Sequence, residues 1–292
     1  MQRIKTKKLP DYIITGDWHL RETNPVCRID DFWQTQWRKV DFISDLQKQY
    51  NCPVLHGGDL YDYWKPSPML ISETIKHLPN QFYTVYGNHD LPQHSLELKY
   101  KSGIYALECS ETLSTFRPNN NFEFCHWGEL PCNIGEKYLL WHVPTYQGKE
   151  PYPGCSDQKA ATLLRKYPQL LMIITSDNHQ PFVEEHEGRL LVNPGSIFRI
   201  DADQINHKPR VYLWYTETNT VEAVYLPIET DVISREHIEI KEQRDNRIDA
   251  FVSRLNTDYT TTLSFEKNLQ EFEKVNNVRQ PVMDIVYKSL EV

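Results

Sequence analysis

The chain has 292 residues, with 32 Lys+Arg against 40 Asp+Glu, a formal net charge of −8 and a pI of about 5.8. Hydrophobic residues make up 39% and charged residues 25%, enough to bury a sizeable core and too balanced for a disordered or fibrous chain. No run approaches the ~18 apolar residues of a membrane span, no apolar segment follows the basic start Met1-Gln2-Arg3-Ile4-Lys5, and the acidic total speaks weakly against nucleic acid. The six cysteines, Cys27, Cys52, Cys109, Cys125, Cys132 and Cys155, form no CxxC pair. They fit reduced thiols in a cytoplasm better than a zinc ribbon or a disulfide scaffold.

Tyr12-Ile13-Ile14-Thr15 is a short apolar run that stops at Gly16, and Pro53-Val54-Leu55-His56 is a second that stops at Gly57-Gly58; both predict buried strands. Between them Trp33, Trp37, Val40, Ile43, Leu46 and Tyr50 recur at three- and four-residue steps, the period of an amphipathic helix. A helix around Met69 to Leu78, a strand from Phe82 to Tyr86 and a helix through Leu96 to Leu107 continue an α/β alternation. Shorter strands follow at Leu113 to Phe116, Phe122 to Trp127 and Tyr138 to His142, then a helix near Lys159 to Lys166. Strands at Leu170 to Thr175, Arg189 to Val192, Arg210 to Tyr215 and Val221 to Tyr225 complete an expected first domain, 1–228. Residues 229–292 read as a small, mostly helical appendage. Ile248, Phe251, Val252 and Leu255 share one face; Phe265, Leu269 and Phe272 share another, with Ser264 as N-cap and Glu266 in the first turn. Pro281 opens a last helix carrying Met283, Val286, Tyr287 and Leu290.

The informative residues lie where the apolar runs end. The strands deliver Gly16-Asp17-Trp18-His19, Gly58-Asp59, Gly87-Asn88-His89-Asp90, Trp141-His142 and Ser176-Asp177-Asn178-His179 in turn. In open α/β sheets the loops after strand C-termini converge on one edge, where ligands bind. Carboxylates, imidazoles and one amide oxygen are a mixed set that suits Mn²⁺, Fe²⁺ or Zn²⁺. Seven candidates are too many for one ion. If Asp59 bridges, Asp17, His19, Asp59 and His179 can hold a first metal, and Asp59, Asn88, His142 and Asp177 a second. Two ions about 3.5–4 Å apart can clamp a phosphate and lower the pKa of a bridging water. Any one of these loops alone is more often a turn or a satisfied core group; five in order are not. His77, His94, His126, His186, His207 and His237 keep the plainer reading of surface or core.

With these motifs the sequence resembles the calcineurin-like metallophosphoesterase superfamily, whose motifs run D-x-H, GD, GNH(D/E), H and GHxH. The first four are present unaltered; in the fifth, Asp177 stands for the first histidine and Ser176 for the glycine. The resemblance implies a four-layer α-β-β-α sandwich of two mixed sheets, with a dinuclear site at the C-terminal edge of the strands. It also implies that His89 is no ligand but touches the phosphate and can protonate the leaving oxygen. Asp90, adjacent in sequence, is the candidate to orient its imidazole. Asp177 gives the second site a harder ligand set that favours Mn²⁺, with Fe, Zn or Mg as alternatives.

A narrower resemblance rests on His56-Gly57-Gly58-Asp59-Leu60-Tyr61-Asp62 followed by Lys65-Pro66-Ser67-Pro68, with Ser102-Gly103-Ile104-Tyr105-Ala106-Leu107 and Asn193-Pro194-Gly195-Ser196 further on. These are similar to the SbcD nuclease branch, and the overall layout is similar to its compact phage-encoded members. The implied activity is phosphodiester hydrolysis in DNA, in repair, recombination or replication, with an SbcC-type ABC ATPase as partner; a homodimer is compatible with it. Residues 229–292 are short for a full cap followed by partner-binding helices. Trp18, Tyr61, Tyr63 and Trp64 flank the metal loops and could stack on bases, with core packing the favoured reading for at least two of them. Arg199, Lys208 and Arg210 lie on a segment that could contact phosphate, with an ordinary connection between strands equally open. Gly148 to Gly154 is a turn-rich excursion expected at the rim. The superfamily also contains phosphatases and nucleotide phosphodiesterases, so a phosphatase or phosphodiesterase acting on a nucleotide or protein phosphate is the alternative.

Overall fold

A computed structural model describes residues 8–132, 135–256 and 265–290. It divides into two compact units, Met1–Ser234 and Arg235–Val292. In the first, β1 (Tyr12–Thr15), α1 (Phe32–Tyr50), β2 (Val54–His56), α2 (Pro68–His77), β3 (Phe82–Thr84) and α3 (Gly103–Cys109) follow one another. Then come β4 (Phe122–Cys125), β5 (Tyr138–Trp141), the short pair β6 (Thr145–Tyr146) and β7 (Gln158–Lys159), and α4 (Ala160–Lys166). β8 (Met172–Thr175), β9 (Phe182–His186), β10 (Arg189–Asn193), β11 (Arg210–Tyr215) and β12 (Thr220–Tyr225) complete it.

The strands form two five-stranded mixed sheets, ordered β12-β11-β1-β2-β3 and β4-β5-β8-β10-β9. β1, β2 and β3 are parallel, as are β4, β5, β8 and β10, while β11, β12 and β9 run antiparallel to their neighbours. Alternation along each strand sorts the core into layers. Ile14, Leu55, Leu140, Ile174, Val192 and Trp214 meet between the sheets. Their neighbours Ile13, Val54 and Phe82 turn outward onto α1, α2 and α3 through Val40, Ile43, Leu70, Ile104 and Leu107. Leu139, Ile173 and Leu191 turn outward onto α4 through Leu163 and Leu164. Two sheets covered by helices on both outer faces are the expected α-β-β-α sandwich.

Local chemistry sets the helix ends. Asp31 caps α1 by accepting from Gln34 N, and Asn51 closes it in the left-handed region. Ser67 caps α2 by accepting from Leu70 N, with Pro68 at the first helical position. The helix expected through Leu96 to Leu107 is broken: Leu96–Lys101 is a 3₁₀ turn, and Ser102 is extended and caps α3. The expected strand at Leu113 to Phe116 is one bridge, Tyr83 to Ser114. β9 went unread; it pairs with β10 through the turn Glu187-Gly188, both at positive φ as a type I′ hairpin requires.

After β12 the chain stays with the first unit beyond residue 228. Leu226 and Val232 are buried, Ile29 N donates to Val232 O, and Ser234 N to Cys27 O. The second unit contains α5 (Glu236–Asn256), α6 (Phe265–Asn276) and α7 (Gln280–Leu290). Within it Met283 is buried and Tyr287 Oη donates to Glu273. Ser264 and the side chains of Phe251, Val252, Leu255, Glu266 and Leu290 lie outside the described residues. No helix among the described residues is long and apolar enough to cross a membrane.

Candidate metal centre

Because β1, β2 and β3 are parallel, the loops that follow them leave the same edge of the first sheet, and those after β5 and β8 leave the facing edge of the second. Asp17, His19 and Asp59 offer ligand atoms within 4.8 Å of one another, and so do Asp59, His142 and Asp177. Asp59 belongs to both groups. His179 Nε2 lies 3.0 Å from His19 Nε2, and His142 Nε2 lies 3.5 Å from Asp59 Oδ2 and 3.6 Å from Asp177 Oδ1. The terminal amide atom of Asn88 that faces this group is 3.0 Å from His142 Nε2, 3.1 Å from Asp177 Oδ1 and 3.3 Å from Asp59 Oδ2. The structure thus gathers all seven candidate ligands in two sets that share Asp59.

The donor set fits divalent cations. With its oxygen inward, Asn88 joins two carboxylates and an imidazole as converging acceptors; with its nitrogen inward it would donate to all three. Burial pushes the Asp59 carboxyl well above the usual carboxylate range and raises Asp17. Burial, then repulsion from His179, His89 and His142, holds His19 well below the ordinary imidazole value. His142 goes the other way: burial lowers it, but the Asp59, Asp177 and Asp17 carboxylates outweigh burial and raise it to about 10. An excess of buried negative charge that draws protons in this way is what cations neutralise.

Strain is concentrated in the same residues. Asp17, His19, Asp59 and Asp177 all sit at positive φ, between 47° and 79°. Each such conformation costs on the order of 1–3 kcal/mol and persists only where the surroundings enforce it. Hydrogen bonds enforce it here: Asp17 N and His19 N donate to Gly58 O and Asp59 O, and Asp177 N donates to Asp17 Oδ1 at 3.0 Å. Gly87 must lack a side chain, because a Cβ there would lie 2.0 Å from Asp59 Oδ1.

The family whose model matches residues 11–181 is described as calcineurin-like phosphoesterase. The chain belongs to that family. Among solved structures, an archaeal phosphodiesterase is 17% identical over 74% of this phosphoesterase and 99% of its own chain, with a TM-score of 0.41. A putative 5′-nucleotidase from Staphylococcus aureus, in complex with alpha-ketoglutarate, is 12% identical over 80% and 58%, with a TM-score of 0.45. A dimetal phosphatase from Danio rerio is 11% identical over 75% and 100%, with a TM-score of 0.43. No curated protein sequence matches the phosphoesterase.

Around the metal ligands, two expected roles change hands. Asp90 is fully buried and does not meet the His89 imidazole. Its carboxylate accepts from the backbone N–H of Asp59, Leu60, Tyr61 and Gly87, at 2.9 to 3.3 Å. Asp90 is therefore a peg that joins the second loop to the third, because adjacent side chains on a tight turn diverge. His89 is held by a residue that sequence reasoning missed. Its Nδ1 donates to Asp62 O at 2.8 Å, and the Asp62 side chain stands 3.9 Å from His19 Nδ1 and 3.3 Å from the Arg21 guanidinium. His19, Asp62 and His89 form a third close group. The signal for Asp62 was its place three residues after Asp59 in the branch signature.

The proposed phosphate-contacting segment is corrected at two positions. Arg199 is buried and its guanidinium donates to Ile205 O and Glu229 O, fastening the chain after β12. Arg210 lies over the Tyr225 ring of β12 at 4.7 Å, turned to the outer strand. Lys208 is exposed. Of the flanking aromatics, Trp18 and Tyr61 are fully buried core residues, while Tyr63 is exposed and Trp64 half-buried. Residues 147–154 are all exposed.

Proposed function

We propose that this phosphoesterase is a nuclease of the SbcD type that hydrolyses phosphodiester bonds in DNA, with Mn²⁺ as its favoured ion and a cytoplasmic role in repair, recombination or replication. The observation that carries this reading is how the branch signature packs. Asp62 supplies the carbonyl that holds His89, Ser67 caps α2, and Pro66 lies where a Cβ on Gly103 would approach its Cγ to 2.2 Å. Gly103 N donates to Trp64 O. The stretches Lys65-Pro66-Ser67-Pro68 and Ser102-Gly103-Ile104 are thus two halves of one contact, and that contact supports the residue beside the metal ligands. A shared signature whose parts touch is better support than separate short matches.

The seven ligands would hold two divalent ions, which when bound would supply charge neutralisation of a phosphate and hydroxide near neutral pH. The chain's own contribution is positional. His89 is exposed at the lip of the cluster, and donation from Nδ1 to Asp62 O leaves Nε2 to carry a proton to the leaving oxygen. Its backbone N donates to Asp59 Oδ1 at 2.9 Å, which ties its position to the shared ligand. DNA is the partner this reading names; an SbcC-type ATPase and a second copy of the chain are further partners implied by the resemblance.

The test compares single-stranded and linear duplex DNA with bis(4-nitrophenyl) phosphate and 4-nitrophenyl phosphate, each with Mn²⁺, Mg²⁺ and Zn²⁺. Cleavage of DNA, fastest with Mn²⁺, is the expected result. Rapid turnover of the small esters with DNA left intact would move the protein to the phosphatase or nucleotide phosphodiesterase reading.

A further inference from the structure

A cavity of about 320 Å³ adjoins the metal-binding cluster, between the loop after β4 and the loop after β5. Its walls are mostly carbon: Trp127, Leu130, Trp141, Val143 and Pro144. His142 belongs to both places, with its side chain fully buried between them. Its Nε2 faces Asp59 and Asp177, its Nδ1 donates to Gly57 O at 2.7 Å, and its ring lies 5.9 Å from that of Trp127. Whatever fills the cavity therefore lies one imidazole ring away from the group held at the cluster.

The walls are built rather than incidental. Trp141 Nε1 donates to Glu129 O, which fixes the turn carrying Trp127 and Leu130. Trp127 N donates to Tyr86 O, one residue before Gly87-Asn88-His89. Leu130 is 74% exposed, an apolar side chain at the edge of an apolar hollow. Gln158 also lines it and brings an amide that can meet a hydrogen-bonding edge.

We propose that this cavity receives a nucleobase of the bound strand, adjacent to the phosphate that is hydrolysed. The inference rests on the nuclease reading and goes beyond it, because metals and phosphate contacts alone give no reason to hold a base. A flat, largely apolar ring with polar edges matches indole walls with Gln158, Glu129 and Lys166 as the polar lining, and stacking on aromatic side chains tolerates any base. Such a pocket makes the enzyme prefer a base beside the cleaved bond without reading sequence.

The experiment compares two fluorescent single-stranded oligonucleotides in Mn²⁺, one with normal nucleotides throughout and one with a run of tetrahydrofuran abasic residues. The expected kcat/KM ratio, normal over abasic, is roughly ten- to a hundredfold. It should fall to near one in Trp127→Ala and drop severalfold in Leu130→Ala, a surface change that leaves folding intact, and recover in Trp127→Phe. A ratio near one in the wild type overturns the pocket and leaves the nuclease reading standing; so does a ratio unchanged in both Trp127→Ala and Leu130→Ala. Failure to cleave either oligonucleotide while bis(4-nitrophenyl) phosphate is hydrolysed overturns the nuclease reading, and the base pocket with it.

Discussion

His89 and Asp90 are neighbours in sequence with opposite duties, and the difference predicts different failures. The Nδ1 of His89 is engaged by Asp62 O and its Nε2 is left for the leaving oxygen, so His89→Ala should lower the hydrolysis rate by about 10²–10⁴-fold while two metal ions per chain remain, as metal analysis of the purified variant would read. Loss of metal in that variant would make His89 a ligand. Asp90 accepts from four buried backbone N–H groups, so Asp90→Ala leaves four donors without their acceptor. The expected cost is on the order of 3 kcal/mol, seen as a lower urea midpoint in the presence of chelator, where metal binding cannot mask it. Asp177 tests the departure from the superfamily's fifth motif: Asp177→Ala should reduce the metal count from two per chain to one. A count that stays at two removes it from the ligand set.

Elements show why some of this was legible in the sequence and some was not. Strand ends announce themselves because an apolar run must stop where polar ligands begin, whereas the caps Asp31 and Ser67 emerge only from the structure. The break at Ser102 was hidden, since Leu96 to Leu107 keeps a helical period and what interrupts it is a partner far along the chain, Trp64 O. Likewise nothing local says that Arg199 and Lys39 turn inward. Lys39, on the core-facing side of α1, donates to Ile197 O at 2.9 Å and lies over Phe198. Burial, with Arg28 and Arg199 close by, lowers its pKa from 10.5 to about 7. A lowered folded-state value means that the stability it contributes is complete above pH 10.5 and is lost as pH falls to 7. Lys39→Met has no such loss, so the variant's unfolding free energy, read by urea titration, should gain on the wild type as pH falls from 10 to 7, by a few kcal/mol at most, and then level off. A difference independent of pH would show that the ammonium is solvated.

At the scale of the whole molecule, the net charge of −8 first counted against DNA, and the structure changes what it means. Asp17, Asp59 and Asp177 stand together at the cluster, and two divalent ions would bring the total to −4. Two of the three cations expected to supplement them are elsewhere: Arg199 holds backbone carbonyls and Arg210 covers Tyr225, which leaves Lys208. Attraction to phosphate must then come chiefly from the bound ions, over few contacts. Single-strand binding releases about 0.7 counterions per phosphate neutralised, so the number of contacts can be read from salt dependence. For His89→Ala, which binds without cutting, affinity for a single-stranded oligonucleotide should appear with Mn²⁺ and vanish with chelator. The slope of log K against log salt should lie between about −1 and −3. A slope near −6, or binding that survives the chelator, would require an extended basic groove and would return the acidic total to its first meaning, a protein whose phosphate substrate is small.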